Sequence, residues 1–154
     1  MSSIINADTS DGLKITSDTS GQIDFQSAGS TKATIDTAGN LKFDSGYGSV
    51  ATAYGCRAWV NFNGIGTVAI RDSGNVSSIT DHAVGQFTVN FTTALPDANY
   101  TSVGMGGNVF NAMIVISQPR GTYVPTTTSC RYNAMYQNES FFYDPEYVGI
   151  SIFR

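Results

Sequence analysis

The sequence predicts an all-β protein, and three features of its composition support that fold class. Leu, Glu and Lys, which populate ordinary helices, occur only three, two and three times among 154 residues. Val, Ile, Thr, Tyr and Phe dominate instead, and these residues suit the half-buried, pleated surface of a sheet. Charged residues make up 13% of the chain, about half the usual share of roughly 25%.

The charge balance argues against several classes of protein. The net charge is −4, whereas a nucleic-acid binder needs a basic face to displace counterions. No apolar run approaches the roughly 18 residues that a membrane-spanning helix needs. The first residues, MSSIINADTSDG, contain neither a basic region nor an apolar stretch, so we expect no signal peptide. We therefore expect no nucleic-acid partner and no membrane insertion.

Aromatic residues divide the chain into two regions. Residues 1–46 contain two of the 18 aromatic residues, and residues 47–154 contain the other 16. The shift coincides with DSGYGSVATAYG, a stretch of small residues typical of a linker. We predict an N-terminal β-repeat segment at 1–46, a linker at 47–55 and a C-terminal domain at 56–154.

A short repeat fills the N-terminal segment. Each unit has two apolar residues separated by one polar residue, followed by a turn that ends in Gly. Because side chains alternate along a strand, each apolar pair lies on one face. The turn glycines supply positive φ where the chain reverses. The pairs are Leu13/Ile15, Ile23/Phe25, Ala33/Ile35 and Leu41/Phe43, and the glycines are Gly21, Gly29, Gly39 and Gly46.

These repeats bury too little apolar surface to fold as a monomer. At roughly 25 cal/mol per Å², about eight medium side chains do not offset an ordering cost of about 1.5 kcal/mol per residue. The segment either docks on the C-terminal region or shares a core with other copies, and we favour the second. The predicted subunit interface comprises Leu13, Ile15, Ile23, Phe25, Ile35, Leu41, Phe43 and Trp59.

The C-terminal region has alternating apolar patterns at regular spacing, which predict an antiparallel β-sandwich or small barrel of seven or eight strands. The stretch NAMIVIS is apolar on both faces, so that strand is central or lies at an interface. The predicted strands are 56–62, 65–71, 75–80, 85–92, 99–105, 111–117, 129–136 and 147–153.

No motif in the chain predicts catalysis or a resident cofactor. His82 is the only histidine, and we expect it in an exposed turn, with neighbouring Asp81 on the opposite face. One His and two unlinked Cys do not close a zinc site unless several chains contribute ligands. Cys56 and Cys130 are expected as packed thiols, with a single bridge as the alternative. The glycine cluster GMGGN at 104–108 predicts a turn or a close backbone approach. The carboxylates available for sugar hydrolysis are Asp72, Asp81, Asp97, Asp144 and Glu146, mostly in turn contexts.

The stretch RYNAMYQNESFFYDPEY at 131–147 is the strongest candidate for recognition. Aromatic faces stack on sugars or proteins, and amide and acid groups bond hydroxyls. The alternative is that these aromatics close one end of the β core or pack against a neighbouring subunit. Because Pro145 limits strand pairing, we predict that the loop forms a tip. The predicted receptor contacts are Tyr136, Phe141, Phe142, Tyr143, Asp144 and Tyr147.

Trp59 has two possible roles. Ala58, Val60 and Phe62 share one face of the strand at 56–62, which leaves Trp59 on the more polar face. It is therefore either a subunit contact or a binding platform, and not part of the monomer's core.

Residues 7 to 103 resemble tail fibres and related fibre proteins of bacteriophages, especially those of marine and cyanobacterial hosts. The upstream TSDTSGQIDFQSAG and IDTAGNL are similar to glycine-punctuated repeats of fibre shafts. Within the C-terminal region the resembling elements are AWVNF at 58–62 with Gly64, IRDSGNV at 70–76, SITD at 78–81, FTVNF at 87–91 and LPDANY at 95–100.

The resemblance implies a homotrimeric virion protein without catalysis, assembled in the bacterial host cytoplasm and displayed on the virion surface. Its implied partners are copies of itself, other virion proteins bound through the N-terminal segment, and a host surface glycan or outer-membrane protein. Typical tail fibres are far longer, and this chain begins almost directly with the repeats. A short fibre tip, a capsid-surface fibre and a decoration protein without a receptor role therefore remain alternatives. A polysaccharide-cleaving fibre is a further alternative, disfavoured because no pair of carboxylates in a cleft is evident.

Overall fold

A computed structural model of the chain describes residues 19–46, 48–107, 114–119, 123–136 and 141–154. These residues form antiparallel β structure in two units, which divide between Ala53 and Tyr54. The all-β prediction is therefore confirmed. In the described part of the chain, no helix is long and apolar enough to cross a membrane.

The N-terminal unit is a four-stranded antiparallel sheet in which each strand pairs with the next one along the chain. The first repeat pair, Leu13 and Ile15, lies outside the described residues. The fourth strand lies within the stretch that the sequence predicts as a linker. The strands are β1 (Ile23–Ser27), β2 (Ser30–Ile35), β3 (Leu41–Phe43) and β4 (Ala51–Thr52).

Left-handed backbone makes the turns of this sheet. A two-residue turn joins β1 to β2, with φ of 50° at Ala28 and 74° at Gly29. Positive φ at both positions matches the twist of the flanking strands, as in a type I′ hairpin. The four turn glycines of the repeat all have positive φ, as the sequence predicts, namely Gly21, Gly29, Gly39 and Gly46.

The C-terminal unit is an eight-stranded β-sandwich. Its hydrogen-bonded strand order is β6-β5-β12-β9-β10-β11-β8-β7. Among the described residues, a single pair, Ile114 with Gly106, joins β9 to β10, and we place the fold between the two layers at this seam. The strands are β5 (Cys56–Asn63), β6 (Ala69–Gly74), β7 (Val76–Ala83), β8 (Gln86–Phe91), β9 (Thr101–Gly107), β10 (Ile114–Ser117), β11 (Ser129–Tyr136) and β12 (Tyr147–Phe153).

Two four-stranded layers enclose the core. Layer A is β6-β5-β12-β9 and layer B is β10-β11-β8-β7. Phe62 of layer A and Phe87 of layer B meet edge to face, with ring centroids 5.2 Å apart, although many strands separate them in the sheet order. On four of the strands, every second side chain is buried and fills the space between the layers. These residues are Ala58, Val60, Phe62, Phe87, Val89, Phe91, Cys130, Tyr132, Ala134, Val148, Ile150 and Ile152.

A bend at Asn75 connects the layers on the side away from the seam. Asn75 has φ of 56° and joins β6 directly to β7. Its side-chain amide donates to the carbonyl oxygens of Arg57 and Thr93, at 3.2 and 3.1 Å, and accepts from the Thr93 N–H at 2.8 Å. Asn tolerates the left-handed region better than most residues, and here its side chain also fixes the corner.

All eight C-terminal strands lie near their predicted positions, although residues 111–113 of the sixth predicted strand lie outside the described residues, and there are two local differences. Strand β6 starts at Ala69 rather than 65, because Gly66 has φ of 66° and the Asn63 amide bonds the Ile65 carbonyl in a turn. The described part of the GMGGN cluster lies in β9 instead of a turn. The close approach is confirmed, since a Cβ on Gly104 would lie 2.5 Å from the Ile116 Cγ2.

Candidate binding and assembly surfaces

The N-terminal sheet has one apolar face. Phe25 pairs with Ala33, which pairs with Phe43, and Ile23, Ile35 and Leu41 form the next row in the same way. Because residues two apart share a face, both rows lie on the same side of the sheet. The large side chains on that side are exposed: Phe25 by 42%, Ile35 by 38%, Leu41 by 52% and Phe43 by 45%.

The opposite face and the turns of this sheet are polar and internally hydrogen-bonded. Thr34 is buried, and its hydroxyl donates to the Asp24 carboxylate at 2.7 Å. Backbone N–H donation from Asn40, followed by the Lys42 ammonium, holds the pKa of Asp36 far below its ordinary value. Among the described residues, this sheet therefore has one hydrogen-bonded polar face and one exposed apolar face.

The structure divides the six predicted receptor contacts into packed and exposed residues. Tyr143 donates its backbone N–H to the Ala134 carbonyl at 3.0 Å, and its ring lies 4.5 Å from that of Tyr136. The Asp144 carboxylate accepts the Gly85 N–H at 2.6 Å. Tyr136, Tyr143 and Asp144 thus hold the end of β11 to the turn between β7 and β8.

Pro145 does not make the loop a free tip. It is fully buried, and its carbonyl accepts the Gly64 N–H at 2.9 Å. Proline has no backbone N–H to donate, but its carbonyl oxygen still accepts a hydrogen bond. The bond from Gly64 and the burial of the ring hold this part of the chain, including Tyr143, against the core. The expectation that Tyr143 lies at a tip is therefore wrong. Phe141 and Phe142 remain exposed, by 66% and 42%.

Trp59 lies on the outer face of layer A, while its strand neighbours Ala58 and Val60 are buried, as the alternation predicts. The indole covers Gly74, because a Cβ there would lie 2.5 Å from the indole Nε1. The Met105 thioether similarly covers Gly149, with its Cγ 3.2 Å from the place of a Cβ.

Between these two side chains runs a groove of about 280 Å³, which we call the Trp59 groove. Its walls are Trp59 on one side and Val103 and Met105 on the other, and Gly149 and Ser151 form its floor. The outer surface continues along β12 from the groove to Tyr147, an exposed residue with the Arg71 guanidinium 4.4 Å from its ring centroid. Arg71 in turn reaches the Asn61 amide oxygen at 3.5 Å.

Sequence reasoning missed Val103, Met105 and Gly149. The alternation in TSVGMGG at 101–107 does place Val103 and Met105 on one face, opposite Ser102 and Gly104. The pattern does not reveal that β9 pairs with β12, and it is this pairing that brings the face beside Trp59. The predicted receptor contact Tyr147 thus shares a surface with Trp59, whereas Phe141 and Phe142 lie at the end of layer B.

A second cavity of about 280 Å³ lies near the seam between the layers, lined partly by Tyr100, Ser102, Gln118 and Tyr132. Burial raises the pKa of the Tyr100 and Tyr132 hydroxyls, and the neighbouring Cys130 thiol contributes less. Tyr100 donates to the carbonyl oxygens of Thr126 and Ser129. Both hydroxyls therefore stay protonated, and that of Tyr100 serves as a hydrogen-bond donor, whereas the buried Tyr132 hydroxyl has no partner among the described residues.

The titratable groups of interest are dispersed. His82 lies within β7 rather than in a turn, exposed, with its Nε2 2.9 Å from the Thr88 hydroxyl. Asp72 accepts the Ser73 N–H, and Asp97 pairs with Arg154, which lowers the pKa of that carboxyl. Cys56 is exposed and Cys130 is buried, both as free thiols.

Two surfaces therefore dominate the described residues: the open apolar face of the N-terminal sheet and the Trp59 groove with its extension to Tyr147. No protein-family model matches the chain, and no curated protein or solved structure matches it significantly.

Proposed function

We propose that the chain is a non-enzymatic structural protein of a bacteriophage virion, a short trimeric fibre or knob that takes part in attachment to the host surface. The open apolar face of the N-terminal sheet is the observation that carries this proposal. The resemblance of residues 7 to 103 to phage fibre proteins supplies the biological setting.

The energetics of the open face favour association. Fully burying a Leu, Ile or Phe side chain stabilises the buried state by about 1.5–3 kcal/mol relative to leaving the side chain exposed. Phe25, Ile35, Leu41 and Phe43 are each only about half buried, so covering them contributes several kcal/mol for each copy. The four described strands of this unit are short and lie in a single sheet, so they do not cover their own apolar face.

Copies of the same chain are the simplest cover. In a closed ring with rotational symmetry, each subunit presents the same face, and three sheets enclose one apolar axis. The N-terminal segment then joins the subunits and binds other virion proteins, and the sandwich is displayed at the virion surface.

Sedimentation equilibrium tests the assembly. We expect a species of three times the 16.4 kDa chain mass. Phe25→Asp should dissociate it, because burying an unpaired carboxylate among apolar side chains costs several kcal/mol. Gln26→Asp, which adds the same charge at an exposed neighbouring position, is the matched control and should remain trimeric. A monomer at micromolar concentration would overturn the trimer.

Competition tests the attachment role. Purified trimer in excess should slow adsorption of the phage that carries this protein to its host cells. A trimer that is located on the virion but leaves adsorption unchanged indicates a decoration protein without a receptor role.

A further inference from the structure

The Trp59 groove has the chemistry of a sugar-binding platform. The indole lies against the backbone at Gly74 and remains 39% exposed, so part of the aromatic surface is open to solvent. Sugar rings carry an apolar C–H face that stacks on such a surface and a rim of hydroxyls that needs hydrogen-bonding partners. Asn61 and Ser151, beside Trp59 in the groove lining, supply those partners.

The shape of the groove favours a narrow, flat ligand. Ser151 carries a small side chain between Trp59 and Val103, so the floor lies below these walls there, while the flexible Met105 side chain lies over Gly149. A second copy packing with its own sheet face would need a flat apolar surface, and this surface is concave.

Charge favours a neutral ligand in the groove itself, while at the Tyr147 end the Arg71 guanidinium is a donor that sugar hydroxyls can accept from. None of the nine described residues that line the groove is charged. An anionic sugar would leave its carboxylate or sulfate without a cation inside the groove, at a desolvation cost.

The length of the surface indicates a chain of sugars rather than a single ring. Ser151 pairs with Trp59, and Tyr147 lies four residues away on the same face of β12. At about 3.3 Å per residue, roughly 13 Å separates the two aromatic positions along the strand. An extended oligosaccharide can contact Trp59 at one end and Tyr147 at the other.

We propose that the outer face of layer A binds a neutral polysaccharide chain, with Trp59 as the stacking platform and Tyr147 as a second contact. This inference rests on the proposed attachment function and gives it a ligand class.

Intrinsic fluorescence gives a direct readout, because Trp59 is the only tryptophan in the chain. The intact protein is titrated with glucose and with cellohexaose, maltohexaose and mannohexaose. At least one hexasaccharide should change the emission of Trp59 saturably, while glucose should bind at least about tenfold more weakly, equivalent to about 1.4 kcal/mol. No change with any hexasaccharide overturns the proposal.

Two variants test the position of the site. Gly149→Val fills the floor without altering Trp59, and the flexible Met105 side chain can move aside, so the fold should persist. We expect hexasaccharide affinity to fall at least about tenfold. Ala69→Val, which adds apolar bulk at an exposed position of layer A outside the groove, should retain full affinity. Tyr147→Ala should weaken the hexasaccharide more than the corresponding disaccharide.

Trp59→Ala, followed by calorimetry, separates this inference from the proposed function. The trimer should persist while hexasaccharide binding is lost. If the trimer dissociates instead, Trp59 is a subunit contact and the glycan site is wrong. If the trimer forms and binds no sugar, the fibre proposal survives without this ligand. If the wild type binds sugar as a monomer, the trimeric fibre proposal is wrong and the proposed glycan site is supported.

Discussion

The two units use the same alternating pattern and reach opposite outcomes. In the sandwich, alternating Phe62 and Phe87 are at most 1% exposed, because layer B folds over layer A. In the N-terminal sheet, alternating Phe25 and Phe43 are 42% and 45% exposed. A period of two decides which side chains share a face, but strand number and length decide whether the chain can cover that face itself.

The first prediction tests that difference with the same substitution in each unit. Phe62→Ala should destabilise the sandwich by about 3–5 kcal/mol, because it leaves a cavity in a closed core. Phe43→Ala should leave sandwich unfolding unchanged and weaken the trimer. Urea unfolding followed by Trp59 fluorescence measures the first effect, and sedimentation measures the second. If Phe62→Ala and Phe43→Ala shifted the urea midpoint of the Trp59 fluorescence transition equally, the proposed difference between the two units would be wrong.

The second prediction concerns how tightly the sandwich is closed at its loop end. Gly85 has φ of 66°, and a Cβ there would lie 2.4 Å from the Ala134 carbonyl oxygen. Gly66 has the same φ, with nothing within 4 Å of a Cβ. Gly66→Ala should cost about 1–2 kcal/mol from backbone strain alone. Gly85→Ala should cost roughly 2–5 kcal/mol, since overpacking adds to that strain.

Thermal unfolding of the two glycine variants provides the comparison. Equal losses would mean that the contact between Gly85 and β11 does not constrain this end of the molecule.

The third prediction improves the weaker unit. Ala28 occupies a left-handed turn position that Asn adopts more readily, so Ala28→Asn should stabilise the N-terminal sheet by about 0.5–1 kcal/mol. Ala38→Asn, in the next turn but without positive φ, is the matched control and should bring no gain. Amide hydrogen exchange of β1 and β2 measures the change, and equal protection in both variants would contradict it.

The fourth prediction is the smallest and depends on pH. The pKa of Asp36 lies below its ordinary value of 3.8, through backbone N–H donation from Asn40 and then contact with Lys42. The ionised carboxylate thus stabilises the folded sheet above pH 3.8, and this contribution is lost as pH falls toward the folded-state pKa. Asp36→Asn should reduce hydrogen-exchange protection of β2 and β3 at pH 6, with the gap to wild type narrowing by pH 3. A gap that widens in acid would contradict this sign.

Local pattern determined much of the fold and less of the candidate sites. The alternation in GQFTVNFT and EYVGISIF predicted the buried faces of β8 and β12, and the repeat glycines predicted the turns. Pro145 was misjudged, because its missing donor suggested a free loop while its carbonyl and ring proved to be packing groups. Trp59 was correctly placed outside the core, but its neighbours on the groove were not identified.

The sequence by itself determined the all-β class, the approximate positions of most strands, the turns at the repeat glycines and the face on which each alternating side chain lies. These properties depend on backbone sterics and on a period of two, and both act over a few residues. Only the tertiary structure decided that β12 pairs with both β5 and β9, which places Trp59 beside Ser151 and Met105 beside Gly149. Such pairings join residues more than 40 positions apart, and no local pattern encodes them, because they depend on which strands together enclose a core.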